Sequence, residues 1–396
     1  MTRWKNVELG SVATIVRSAI APSEMSPDET YLALEHIERG GRIIGSSTIA
    51  GSEVSSPKFS FNEGDVLYGK LRPYLGKIAI PGFSGVCSTD ILPVRPGSLL
   101  DGRYLLHFLR QSRMVELANS RTTGANLPRI SPGELARFKI PLPSLAEQKR
   151  LASALDQADA LRVKRRQAIA LLDDLVDSIF HSMFGDPRSN PMAWETCRFG
   201  SLIALGPQNG LYKPSGDYGS GVPILRIDSF QQGSLSATSE WRQVRVDSGD
   251  VERYGLANGD IIVNRVNSRT HLGKSAMVSG VDGDAVFESN MMRLRVDEHA
   301  ILPVYAERFL GTPFIKAKIL EAAKDAVNQS SVNQGDIKGL PFNVPPIELQ
   351  QEFDRRVRSI RRQQALHRTQ LTALHELFAS IQQRGFADEL WDYGAA

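Results

Sequence analysis

The sequence predicts an α+β protein: two mixed α/β modules, each followed by a long helix, with the two helices pairing as an antiparallel coiled coil. Three observations predict it. Apolar residues, interrupted by a polar middle at Arg162 and Arg165, recur at alternating steps of four and three from Leu151 to Met183, the spacing of a coiled-coil seam. The same pattern returns 202 residues later and closes the chain. Ahead of each helix, short β-type runs alternate with Gly and Pro turns before a helical pattern begins, which marks a mixed module.

The first long helix is expected over 144–186. Its seam runs Leu151, Leu155, Ala158, Arg162, Arg165, Ile169, Leu172, Val176, Ile179 and Met183. Ser144 followed three residues later by Glu147, directly after Pro141 and Pro143, is a capping box behind helix-stopping prolines. Gly185 and Pro187 give the C-terminal signature of a left-handed cap with proline beyond it. About forty residues lie between, or roughly 60 Å of helix, the length of a spacer.

The second helix is expected over 346–386, with the seam Phe353, Val357, Ile360, Gln364, His367, Leu371, Leu374, Phe378 and Ile381. Outside the seam, Gln148 falls on Gln350, Arg166 on Arg368, Leu175 on Leu377, Ser178 on Ser380 and Phe184 on Phe386. Repetition at this period means a duplicated module-plus-helix unit rather than a small solenoid repeat.

Composition sets the class. With 396 residues, 41% hydrophobic and 23% charged, the chain reads as a globular protein of two to three domains. A net charge of only +3 means that an anionic partner must be held by local basic patches. Two cysteines in different modules, Cys87 and Cys197, without a CxxC pair or an apparent secretory leader, are expected to be reduced, buried thiols of a cytoplasmic protein. Apolar runs are too short for a membrane span.

Module one, residues 1–143, opens with WKNVELGS and continues through YLALEHI, GGRIIGS, FNEGDVLYGKLRPYLGKIAIPG and GVCSTDILPVRP. A helix is expected from Gly102 to Asn119, where Tyr104, Leu105, Phe108, Leu109, Met114 and Leu117 keep helical spacing. Residues 187–193 form a linker. Module two, 194–345, restarts with WETCRFGS and repeats the landmarks: Gly64-Asp65 with Gly259-Asp260, Leu75-Gly76-Lys77 with Leu272-Gly273-Lys274, Thr89-Asp90 with Ser289-Asn290, Tyr104 with Tyr305, Phe108 with Phe309, and Asn126 with Asn328. The offset drifts within the modules and holds constant through the helices, so the insertions sit in module loops, where recognition usually lives. Residues 387–396 form a tail.

If the two apolar seams pair, the second helix runs antiparallel to the first and the modules sit at opposite ends of the pair. That arrangement has approximate two-fold symmetry and suits two separated half-sites on one duplex. Because the modules differ in sequence, the half-sites should differ, with a fixed unread gap set by the helices. The same symmetry predicts that Trp391 or Tyr393 of the tail packs beside module one.

These residues carry a family resemblance. Two divergent modules, ending in PLPSLAEQ (Pro141 to Gln148) or PPIELQQ (Pro345 to Gln351), each followed by a long helix, resemble the specificity subunit of type I restriction-modification systems. The resemblance covers essentially the whole chain. Pro346 stands where the first copy has Ser144, a departure that a first helical turn accepts. The resemblance implies that the modules are target-recognition domains and that the helices pair as a ruler. It implies a complex on double-stranded DNA with two DNA adenine methyltransferase subunits and a restriction/translocase subunit. S-adenosylmethionine, magnesium and ATP would then be bound by those partners, with no cofactor on this chain.

Bases are read mainly by Arg, Lys, Asn and Gln side chains at their major-groove edges. In module one the densest candidates are Lys70, Arg72, Tyr74 and Lys77. Their counterparts in module two are Asn264, Arg265, Asn267, Arg269, His271 and Lys274. A second loop supplies Arg121, Thr122, Thr123, Asn126 and Arg129, matched by Asn328, Gln329, Ser330, Ser331, Asn333 and Gln334. The plainer reading of each is a solvated loop. Arg162, Arg165, Gln364 and His367 form a polar layer in the seam that either fixes register or meets a partner or DNA phosphate. The Arg356–Arg362 run reads as a solvated helix face.

No catalytic pattern is complete. SRTHLGKS at 268–275 puts Ser268 where a phosphate-binding loop needs glycine. The nuclease-like spacings Glu147-Gln148-Lys149 and Asp336-Ile337-Lys338 have no identifiable upstream acidic ligand, VPPI at 344–347 lacks the residues of an amino-methyltransferase site, and the histidines have no zinc spacing. The chain is expected to carry no chemistry of its own. Three other readings compete: a DNA-reading subunit of a different modification-based defence system, a coiled-coil scaffold whose modules bind protein, and an enzyme with an unrecognised site, which the missing motifs disfavour.

Overall fold

The computed structural model describes residues 4–52, 54–231, 234–327 and 329–387. The chain divides into two compact units, Met1–Gln167 with Arg368–Ala396, and Ala168–His367.

In the first unit, Lys5–Glu8 pairs antiparallel with Lys139–Leu142 and ties the two ends of module one together. A four-stranded antiparallel sheet follows the order Ala13–Ile15, Ile91–Pro96, Val66–Gly69, Ile78–Ala79. A second sheet has five strands in the order Ala19–Ile20, Lys58–Phe61, Gly85–Cys87, Thr30–Leu32, Ser47–Thr48. YLALEHI, expected as one strand, contributes only the end of Thr30–Leu32 and then turns into a 3-10 segment at Leu34–His36.

The second unit repeats the frame. Glu195–Arg198 pairs with Pro341–Val344, and the four-stranded sheet runs Ile203–Asn209, Met291–Val296, Ile261–Asn264, Ser275–Met277. Where module one adds five strands, module two adds a three-stranded sheet of Arg242–Val244, Tyr218–Leu225 and Val286–Phe287. Duplication therefore holds for the frame that packs on the helices, and divergence is concentrated in the added sheet.

The helix expected over 102–119 is broken into Gly102–Leu109 and Ser112–Ser120, because Gln111 is extended, with φ −60° and ψ 138°. The residue at the break is held in place: the Arg110 guanidinium donates to the carbonyls of Ile78 and Gly41.

Leu145–Phe184 and Ile347–Phe386 are helices of 40 residues each. Ser144 and Glu147 form the capping box: the Ser144 amide donates to the Glu147 carboxylate at 3.0 Å and the Glu147 amide donates to Ser144 Oγ at 3.3 Å. In the first unit Leu151, Ala152 and Leu155 share a core with Phe386, Phe378 and Ile381 and with Tyr104 and Phe108 of module one. A methyl group on Gly385 would press on the Leu151 side chain, which would have to shift, so glycine eases the close approach there.

In the second unit Val176, Phe180 and Phe184 meet Phe353, Val357 and Ile360, with Leu172 and Ile179 at the margin and Tyr305 and Phe309 beyond. Early residues of one helix thus face late residues of the other in both units, the antiparallel pairing. Ile169 is buried, and Leu371 and Leu374 are half-buried. Full burial of such a side chain stabilises by about 1.5–3 kcal/mol, and the half-buried ones contribute less. In the polar layer, Gln364 donates to Asp173 at 2.7 Å, while the Arg162 guanidinium lies over the Phe378 ring at 4.4 Å.

Trp391 and Tyr393, expected beside module one, lie outside the described residues, as does Asn328.

Candidate nucleic-acid interface

The frame joins the two candidate loops of each module into one surface. In module one the Arg72 amide donates to the Pro128 carbonyl at 2.8 Å and the Ile130 amide donates to Lys70 at 3.1 Å. In module two Val266–Asn267 pairs with Gln329–Ser331, and the Val332 amide donates to Arg265 at 3.0 Å. Residues about sixty positions apart in sequence therefore share one edge.

Within module one, Arg72 is exposed and adopts φ 51°, a left-handed conformation unusual outside glycine that marks an over-determined position. Tyr74 is exposed, Lys70 half-buried, and Lys77 is tied down by donating to the Leu34 carbonyl at 2.7 Å. Arg121 stands over the Phe138 ring and 3.6 Å from Glu134, Asn126 is exposed, and Arg129 grips the Asp90 carboxylate with both ends of its fork.

In module two, Asn264 is 1% exposed at the end of the Ile261–Asn264 strand, which corrects its assignment as a base reader: this inner strand is covered on both faces and all four of its residues are buried. Arg265 donates to the Ser289 carbonyl at 3.1 Å, Asn267 accepts from the Ser268 amide, and Arg269 pairs with Asp325. His271, Lys274 and Gln329 are exposed, as is Gln334 at the start of the Gln334–Lys338 helix. Exposed ion pairs such as Arg269–Asp325 contribute little to stability, on the order of 0–1 kcal/mol.

Sequence reasoning missed a groove of about 980 Å³ in the first unit, lined by Arg39, Arg110, Arg166, His107 and His375 together with Arg162. Burial pulls the Arg110 and Arg162 guanidinium groups below their ordinary pKa, yet arginine remains charged. Burial also lowers His107, partly offset by its 2.7 Å hydrogen bond to Asp156. The buried Nε of Arg162 and Nδ1 of His107 have no partner among the described residues. The groove is mixed in charge, since Glu38, Glu116 and Asp159 line it as well and Asp159 pairs with Arg162 at 3.1 Å. Only the seam position of Arg162 signalled this; the rest come together through tertiary contact. The Cys87 thiol is pushed up to about 12 by burial, which makes it inert.

The model of the type I restriction modification DNA specificity domain matches residues 1–171 and 191–376. The chain belongs to the type I restriction-modification DNA specificity family. It is 28% identical over 313 residues to the type I restriction enzyme StySPI specificity subunit of Salmonella potsdam, covering 75% of this chain and 67% of that protein. It is 26% identical to the EcoKI specificity subunit of Escherichia coli K12, covering 67% and 60%. Two solved structures share the fold. One is the type I restriction-modification S subunit from M. genitalium, at TM-score 0.59 and 14% identity over 97% of this chain and 96% of that one. The other comes from a study of type I system assembly and conformational transition, at TM-score 0.56 and 18% identity over 98% of each chain. As a specificity subunit of this family, the chain serves DNA recognition, and among its described residues no helix is long and apolar enough to cross a membrane.

Proposed function

We propose that this specificity subunit reads an asymmetric, split DNA target, one half per module, and docks two adenine methyltransferase subunits and a restriction/translocase subunit in the cytoplasm. It has no catalytic centre of its own; S-adenosylmethionine, magnesium and ATP are bound by the partners. One observation carries this reading: the same four-stranded frame occurs twice, while the side chains at its joined loop edge differ, Arg72, Tyr74 and Arg129 in one copy and Asn267, Arg269 and Ser331 in the other. Equal frames with different side chains at the loop edge suit two different half-sites. Leu161, Val163, Leu171 and Leu175 of the first long helix and Leu366 and Leu377 of the second are exposed, apolar surface of the kind that a partner subunit covers.

The test is sequencing of methylated adenine in cells expressing the chain with its methyltransferase, against cells lacking the chain. A split asymmetric motif that vanishes with the chain is expected. Methylation unchanged by the deletion would overturn the reading and favour a protein-binding scaffold.

A further inference from the structure

The matched corners Asp90 and Asn290 are built alike and finished differently. The Lys70 amide donates to the Asp90 carbonyl at 2.9 Å, and the Arg265 amide donates to the Asn290 carbonyl at 2.9 Å. Ile130 bonds back to Lys70 as Val332 does to Arg265, which aligns Arg129 with Ser331. In module one the Arg129 fork occupies the Asp90 carboxylate at 2.9 and 3.3 Å. In module two a short hydroxyl replaces that fork, and the half-buried Asn290 amide has no hydrogen-bond partner among the described residues.

Asn290 lines a pocket of about 370 Å³ with Tyr212, Lys213, Ser215, Arg226 and Arg242. Its cations are already matched: Lys213 with Asp250 at 2.7 Å, Arg226 with Glu288 at 3.1 Å and Arg242 with Asp228 at 3.7 Å. A phosphate, which only accepts hydrogen bonds, finds no unpaired cation among these three. What stays open is an amide that both donates and accepts, beside the Tyr212 ring, 79% exposed. The backbone fixes the two together, since the Ser289 amide donates to Leu211 at 2.9 Å. A side chain at Gly210 would collide with the Phe287 and Glu288 carbonyls, so glycine lets this loop close on the corner.

We propose that Asn290 reads the major-groove edge of an adenine in the half-site of module two, its carbonyl accepting from N6 and its amino group donating to N7. Tyr212 supplies the apolar flank. The inference rests on the split-target reading above and narrows it to one residue and one base pair.

The test uses the full chain in its methyltransferase complex, with adenine methylation sequenced for the wild type and for Asn290→Ala. The expected result is an unchanged first half-site and gap, with discrimination at one A·T position of the second half-site relaxed by about ten-fold or more. A motif kept intact at every position, or a relaxed position that is not an A·T pair, overturns the proposal while leaving the split-target reading in place. A wild-type complex without a split motif overturns that reading instead. Should Asn290→Ala abolish methylation, Asn290→Ser and competition binding against duplexes changed singly along the second half-site decide. Discrimination lost at one A·T position supports the proposal, and discrimination lost everywhere or nowhere overturns it.

Discussion

The Gln148 side chain accepts a hydrogen bond from the Asp101 amide at 2.8 Å and donates to the Leu99 and Pro143 carbonyls at 3.0 and 2.9 Å. Gln350 repeats this at the Leu302 amide, at 2.7 Å, and at the Ala300 and Pro345 carbonyls. Both glutamines are fully buried, so each stitches a long helix to its module through a side-chain amide that has no water to fall back on. Gln148→Ala and Gln350→Ala should each cost about 2–4 kcal/mol, the price of orphaned buried polar groups. Urea unfolding of the full chain checks this, and a change below about 0.5 kcal/mol would contradict it.

Burial of the His107 imidazole gives stability a pH dependence. Burial holds the His107 imidazole below its ordinary value of 6.5, with the Asp156 hydrogen bond offsetting only part. The unfolded chain therefore takes up a proton first as pH falls. His107 supports the first unit fully above about pH 6.5, and that support declines as pH drops toward its lowered folded pKa. Thermal unfolding followed from about pH 7.5 to 5.5 should show the decline, and His107→Asn should flatten it.

Arg72 is exposed and its side chain is unpaired among the described residues, which suits a phosphate contact. Arg72→Ala should weaken duplex binding about equally for all sequences and lower the salt slope of log K by about 1. Relaxation at a single base position would make Arg72 a base reader instead.

Leu171 and Leu175 are 67% and 44% exposed on the first long helix. Leu171→Asp with Leu175→Asp should leave unfolding free energy within about 0.5 kcal/mol, while lowering the ratio of methyltransferase to specificity subunit in the purified complex. An unchanged ratio would remove this face from the docking surface.

Much of the fold was legible because it is periodic. The seam through Leu151, Val176, Phe353 and Phe378 follows from spacing alone, and the Ser144–Glu147 cap from two residue types three apart. What stayed hidden depends on contacts between distant residues. The break at Gln111 sits next to Arg110, whose guanidinium reaches the Ile78 carbonyl 32 positions away. Asn264 looked like a reader among polar neighbours, but it ends an inner strand whose four residues are all buried. Arg129 is matched to Asp90 across 39 positions, and the pocket at Tyr212 and Asn290 joins segments that only the fold brings together.

The central claim is that each module reads its own half of the target, and replacing residues 194–345 with a second copy of residues 1–143 tests it most directly. Adenine methylation by that chain with its methyltransferase should shift to a palindromic split motif, built from the first half-site and its inverted repeat. Retention of the original asymmetric motif would contradict the claim.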